Sequence, residues 1–92
     1  MSSEKKIKVF FKTQDDKVSL EVDVNKTVDR MIADFLEKRN LIEKMNDFIF
    51  IVNSIPLTKD KFINKKIKYI RQIKPDCIIQ VRYINGVGGS LL

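Results

Sequence analysis

The stretch Val18-Ser19-Leu20-Glu21-Val22-Asp23-Val24-Asn25-Lys26-Thr27-Val28-Asp29-Arg30-Met31-Ile32-Ala33-Asp34-Phe35-Leu36 changes its hydrophobic period half-way, and that change decides the fold. From Val18 to Val24 apolar and polar residues alternate, so Val18, Leu20 and Val22 share one face of a strand. From Val28 the apolar residues fall at Val28, Met31, Ile32, Phe35 and Leu36, one face of an amphipathic helix. Thr27, at the junction, is a good N-cap because its hydroxyl can accept from a first-turn N–H. Asp29 at the positive end of the helix, with Lys38 and Arg39 at the negative end, suits its dipole. Asn40 tolerates the left-handed conformation that stops a helix. The pattern predicts a helix over 28–39.

Working outward, Ile7-Lys8-Val9-Phe10-Phe11-Lys12-Thr13 is rich in β-branched and aromatic residues, and Gln14-Asp15-Asp16-Lys17 supplies a turn. A first hairpin is expected. Beyond the helix, Phe48-Ile49-Phe50-Ile51-Val52 is an unbroken apolar run, as in a strand in the middle of a sheet. Asn53-Ser54 turns the chain into Ile55-Pro56-Leu57, which Pro56 confines to an edge or a strand end. Phe62, Ile63, Ile67, Tyr69, Ile70 and Ile73 allow the next segment to pack down as a short turn of helix. After the turn at Lys74-Pro75-Asp76, Cys77 to Ile84 is a last strand, with Ile79, Val81 and Tyr83 on one face and Gln80 and Arg82 on the other. The order β-β-α-β-β-β predicts an α+β fold, a mixed sheet of about five strands crossed by one main helix. Nothing in the first or last strand requires an edge, so the two are free to pair in parallel at the centre.

Ninety-two residues make one domain with one modest core, since a chain this short buries only about 60–65% of its unfolded surface. An apolar content of 43% against 33% charged suits a soluble globular domain and argues against disorder. Residues 1–6 are expected to be a flexible N-terminus, 7–84 the domain, and 85–92 a flexible tail. No apolar run approaches the ~18 residues of a membrane span, and no apolar segment follows Met1 to suggest a secretory signal. A lone Cys77 cannot form an internal disulfide, which fits a reducing compartment, cytoplasmic or nuclear. A monomer is expected.

The residues offer little catalytic chemistry. Histidine is absent, and with it the commonest general base and metal ligand. Cys77, with no His or second Cys as partner, reads as a buried structural thiol. Asp15, Asp16 and Asp76 sit in turns rather than a cleft, and the glycines lead into no helix that would bind phosphate. No enzyme activity, metal or cofactor is expected. The formal net charge is +6, and Lys59, Lys61, Lys65, Lys66, Lys68, Arg71 and Lys74 face only Asp60 in their segment. That run suits an acidic partner, nucleic acid or water; the missing aromatic interleave and motif weigh against nucleic acid.

The last nine residues, Ile84-Asn85-Gly86-Val87-Gly88-Gly89-Ser90-Leu91-Leu92, hold all three glycines. Taken alone, Gly88-Gly89 is compatible with a frayed terminus or with a backbone made to thread a narrow channel.

The preceding residues resemble the ubiquitin-like family. Lys8 to Thr13, Val18 to Val22 and Thr27-Val28 are similar in order and spacing to the start of ubiquitin, with a hairpin turn one residue shorter. Phe50-Ile51-Val52-Asn53-Ser54-Ile55-Pro56-Leu57 looks more like SUMO, and Ile73 to Val81 is similar to the last turn and strand of both. The resemblance covers about residues 7–89 and implies a β-grasp fold. It also implies a protein modifier made as a precursor. A protease would cut between Gly89 and Ser90, removing Ser90-Leu91-Leu92. Activating and conjugating enzymes would then pass the Gly89 carboxylate, by way of an adenylate and a thioester, to an isopeptide bond with a target lysine. From Tyr83 to Gly89 the tail reaches up to roughly 20 Å.

The departures from ubiquitin matter too. Ile84-Asn85-Gly86-Val87 replaces its basic and leucine residues, which argues against ubiquitin's own activating enzyme. Its apolar recognition patch maps near Gln14 or Asp15, Phe50 and Arg82, leaving Phe50 the one apolar member. Its main chain-linking lysine falls at about Ser54. Phe50 and Arg82, with Lys65, Lys66, Lys68 and Arg71, are therefore the expected interaction surface. The alternatives are a non-covalent ubiquitin-like module, a leader within a fusion, and a sulfur carrier of the same fold, against which the residues after Gly89 count.

Overall fold

Backbone alternation, turn chemistry and one helical stripe build the fold. The computed structural model of the chain describes residues 5–41, 47–57 and 60–83. Strand β1 (Lys6–Lys12) pairs antiparallel with β2 (Lys17–Asp23). Helix α1 (Val28–Lys38) follows, then β3 (Phe48–Val52) and the short β4 (Ile55–Pro56). A four-residue helix α2 (Asp60–Ile63), a 3₁₀ turn (Ile67–Tyr69) and β5 (Ile78–Tyr83) complete the order. The five strands form one sheet in the order β2-β1-β5-β3-β4, with β1 and β5 parallel beside one another. This is the expected α+β arrangement. β1 starts at Lys6, a residue earlier than the pattern suggests, because Lys6 pairs with Asp23 and Val24 N–H donates to Lys5 O at 3.0 Å.

The turns explain the register. Asn53 and Ser54 both have positive φ, 50° and 68°, so β3 and β4 join through a two-residue type I′ turn whose twist suits a hairpin. Pro75 precedes Asp76 at φ 68°, and Cys77 N–H donates to Lys74 O at 3.1 Å, the geometry of a type II turn. That turn sets β5 beside β1, where Phe10 N–H donates to Cys77 O at 2.9 Å.

Helix α1 is defined at both ends. Thr27 Oγ1 accepts from Arg30 N–H at 3.2 Å, as its position predicts. At the far end Asn40 takes φ 60°, Leu41 N–H donates to Leu36 O at 2.7 Å and Asn40 N–H to Glu37 O at 3.1 Å, a Schellman closure. Between the caps Val28, Met31, Ile32, Phe35 and Leu36 are buried against the sheet. At the centre Phe11 stacks on Phe35 with centroids 4.3 Å apart, and Phe50 meets both edge-on at 6.1 and 6.0 Å. Each buried ring contributes about 1.5–3 kcal/mol by transfer from water, with a further ~0.5–1.5 kcal/mol for a well-oriented aromatic pair.

The segment after α2 is held as firmly as a strand. Val28 N–H donates to Lys65 O at 2.9 Å, Ile67 N–H to Lys26 O at 2.9 Å and Lys68 N–H to Val24 O at 3.0 Å. Ile67, Ile70 and Ile73 enter the core at intervals of three. Lys65, Lys66 and Lys68 are therefore carried on a fixed backbone.

Candidate interaction surfaces

Strand pairing decides which side chains are available. In β3, Phe48, Phe50 and Val52 point into the core, while Ile49 and Ile51 are half-buried on the opposite face. Phe50 is fully buried at 0% exposure, which corrects its expected place on an interaction surface. The cause is the period of two: Phe50 lies opposite Val81, and both face α1, whereas its neighbour Ile51 lies opposite Gln80 and faces out.

The outer face of the sheet is a mixed surface. One row runs Lys12, Gln80, Ile51, Pro56 across four strands, and beside it Phe10 pairs with Ile78 and Ile49 with Arg82. Arg82, expected here, is exposed and donates from Nη2 to Gln80 Oε1 at 3.2 Å. Ile78 is 45% exposed, and the Lys17 ammonium stands 5.1 Å from the Phe10 ring centroid. A shallow groove of about 470 Å³ lies on this face, lined by Ile51, Asn53, Ser54, Ile78, Gln80 and Arg82. Ile51 was missed from sequence because every position from 48 to 52 is apolar and leaves no alternation to read, whereas Ile78, in period with Gln80 and Arg82, was readable and not singled out.

A second cavity of about 300 Å³ opens where β5 ends, among Thr13, Asp15, Arg39, Leu41, Phe48 and Tyr83. Phe48 and Tyr83, a cross-strand pair, have ring centroids 5.4 Å apart. Its rim is tied by Asp16, whose Oδ2 accepts from Arg39 Nη1 at 2.9 Å and whose Oδ1 accepts from Thr13 Oγ1 at 2.7 Å. These bonds, the arginine's first, hold the Asp16 carboxyl below the usual carboxylate range.

Lys65, Lys66, Lys68 and Arg71 are exposed on one pinned segment, and Tyr69 stands out among them at 67% exposure. Cys77 is half-buried rather than fully buried, since it caps the strand at a turn; desolvation still pushes its thiol up. Gly88, Gly89 and Ser90 lie outside the described residues. No cluster of metal-ligating side chains occurs among the described residues, and no helix among them is long and apolar enough to cross a membrane.

No family model and no curated protein matches the chain. Solved structures do. The N-terminal ubiquitin-like domain in the 4931431F19Rik protein superposes with a TM-score of 0.72 at 18% identity, over 96% of this chain and 84% of that one. The ubiquitin-like domain of Arabidopsis thaliana protein At2g32350 gives 0.70 at 18% identity, over 94% and 85%. A de novo protein designed from ubiquitin gives 0.68 at 12% identity, over 92% and 96%. The chain has the ubiquitin-like β-grasp fold.

Proposed function

We propose that the chain is a ubiquitin-like modifier, cut between Gly89 and Ser90 and joined through the Gly89 carboxylate to lysines of target proteins. The observation that carries this reading is the exit of the central strand. β5 leaves the middle of the sheet at Tyr83, and Gly88-Gly89 follows within six residues of that point. A β-grasp body ending in this way offers a carboxylate at a distance of up to roughly 20 Å, able to enter an enzyme too narrow for the body itself. Glycines suit the channel because they carry no Cβ.

The chemistry belongs to partners. A protease hydrolyses the Gly89–Ser90 peptide bond. An activating enzyme joins the new carboxylate to AMP from ATP with release of pyrophosphate. An enzyme thiolate displaces AMP to give a thioester, and a lysine amine displaces the thiolate to give the isopeptide. The chain is the group transferred and supplies no catalytic residue; its compartment is cytoplasmic or nuclear.

Intact mass of the protein recovered from its own cells tests this. A chain ending at Gly89, together with higher-mass conjugates lost on Gly89→Ala, is the expected result. Persistence of Ser90-Leu91-Leu92 with no conjugates would sink it. A second reading, a non-covalent ubiquitin-like module of a larger assembly, is favoured by two similar structures being domains of their proteins. Full function after Gly88→Ala and Gly89→Ala selects that reading.

A further inference from the structure

The pinned basic segment has a shape that the charge count alone does not give. Lys65, Lys66, Lys68, Arg71 and Lys74 are exposed, and no carboxylate occurs between Phe62 and Pro75. None of the ion pairs among the described residues engages them; Lys26 and Arg30 nearby both turn to Asp34, at 3.6 and 3.3 Å. The backbone beneath is fixed by its bonds to Val24, Lys26 and Val28, so the charges need little ordering on binding. Tyr69 projects from the middle at 67% exposure, with the Lys68 ammonium 5.4 Å from its ring centroid. An exposed ring amid cations that form no ion pair among the described residues, on a backbone bonded to residues 24–28, is more than a solvated lysine face.

We propose that this ledge binds a short acidic segment of a partner protein, with carboxylates on the lysines and an apolar side chain against Tyr69. Two observations favour a polypeptide over a nucleic acid. Tyr69 is the one exposed large aromatic among the described residues, whereas single strands are held by successive stacking faces. Acid also stands near both ends of the ledge: Asp29 is exposed one residue beyond Val28, whose N–H donates to Lys65 O, and Asp76 is exposed two residues after Lys74. A long phosphate backbone would run into those carboxylates, while a short peptide stays inside them. The ledge is independent of the Gly89–Ser90 bond, so the inference stands or falls separately from the modifier reading.

The test is fluorescence anisotropy on the full chain at about 0.15 M salt, where long-range attraction is largely screened. The probe is a labelled peptide of aspartate and glutamate with a central phenylalanine, compared with a uridine oligonucleotide of equal length and charge. Saturable peptide binding is expected, with amide shifts confined to residues 65–74. Lys65→Glu, Lys66→Glu and Lys68→Glu together should weaken it by about tenfold or more, and Tyr69→Ser by a smaller factor. Reversing Lys8 and Lys12 on the sheet face should change it little. If the triple variant does not fold, Lys66→Gln with Lys68→Gln serves in its place. Tighter binding of the oligonucleotide, an equal loss from the Lys8 and Lys12 variant, or no saturation with the peptide overturns the proposal.

Discussion

The two faces of the central sheet carry the same kinds of residue to different ends. Inward, Val9, Phe11, Phe50, Val52, Ile79 and Val81 are closed over by α1 into one core, with no buried polar residue among the described residues. Outward, Phe10, Ile49, Ile51 and Ile78 lie among Lys8, Lys12, Gln80 and Arg82, and no element among the described residues covers them. Phe50 and Ile51 are neighbours in the chain, yet one fills the core and the other lines a groove. Apolar character alone does not mark a contact surface in this fold; the side of the pleat does.

The contrast is sharpest in a pair of variants. Phe50→Ala removes a ring that touches both Phe11 and Phe35 and leaves a cavity, so it should cost about 3–5 kcal/mol in a urea melt. That is a large part of the ~5–15 kcal/mol typical of a small domain. Ile51→Ala, at a half-buried site, should cost no more than about 1.5 kcal/mol and leave the fold intact. Equal losses in the two melts would mean that the outer face is covered, and the distinction between the faces would fail.

What was legible in the sequence follows the range of the interactions. The helix and both its caps rest on contacts within five residues, and Thr27 and Asn40 do what their positions suggest. The parallel pairing of the first and last strands was open to inference because neither strand carries an edge residue. Which side of β3 faces the core was not, since the choice is made by the pairing of Phe50 with Val81, far away in the chain. Tyr69 is a different case. Ile67, Ile70 and Ile73 form a stripe at intervals of three that excludes it, so its exposure was readable, although it was counted among the packing residues. The roles proposed for Gly88 and Gly89 rest on the sequence and its resemblance alone.

The next effects concern how the helix is closed over the inner face. Thr27→Ala removes the acceptor for Arg30 N–H and should cost about 1 kcal/mol. Asn40→Ala forces a Cβ without a local hydrogen-bonding side chain into φ 60° and should cost ~1–2 kcal/mol, while Asn40→Gly should be neutral or stabilising. Thermal melts of the three proteins check this. A loss in Asn40→Gly equal to that in Asn40→Ala would show that the asparagine side chain, not the left-handed backbone, stops the helix.

The smallest effect belongs to the rim shared by hairpin and helix, where Asp16 accepts from Arg39 and Thr13. Its carboxyl is held below the ordinary value in the folded chain, chiefly by the Arg39 hydrogen bond. The unfolded chain therefore takes up its proton first as the pH falls. The stabilisation is fully present above the ordinary carboxylate value, near 4, and is lost as the pH drops through the lowered folded value. Asp16 is open to water, so the change in stability should be slight and weaken with added salt. Titrating the carboxyl by NMR resolves it: Arg39→Gln should return Asp16 toward the ordinary value and flatten the acid limb of the stability curve. An unchanged titration in Arg39→Gln would mean that Thr13 alone holds the loop, and that the hairpin end is not tied to the helix that closes the core.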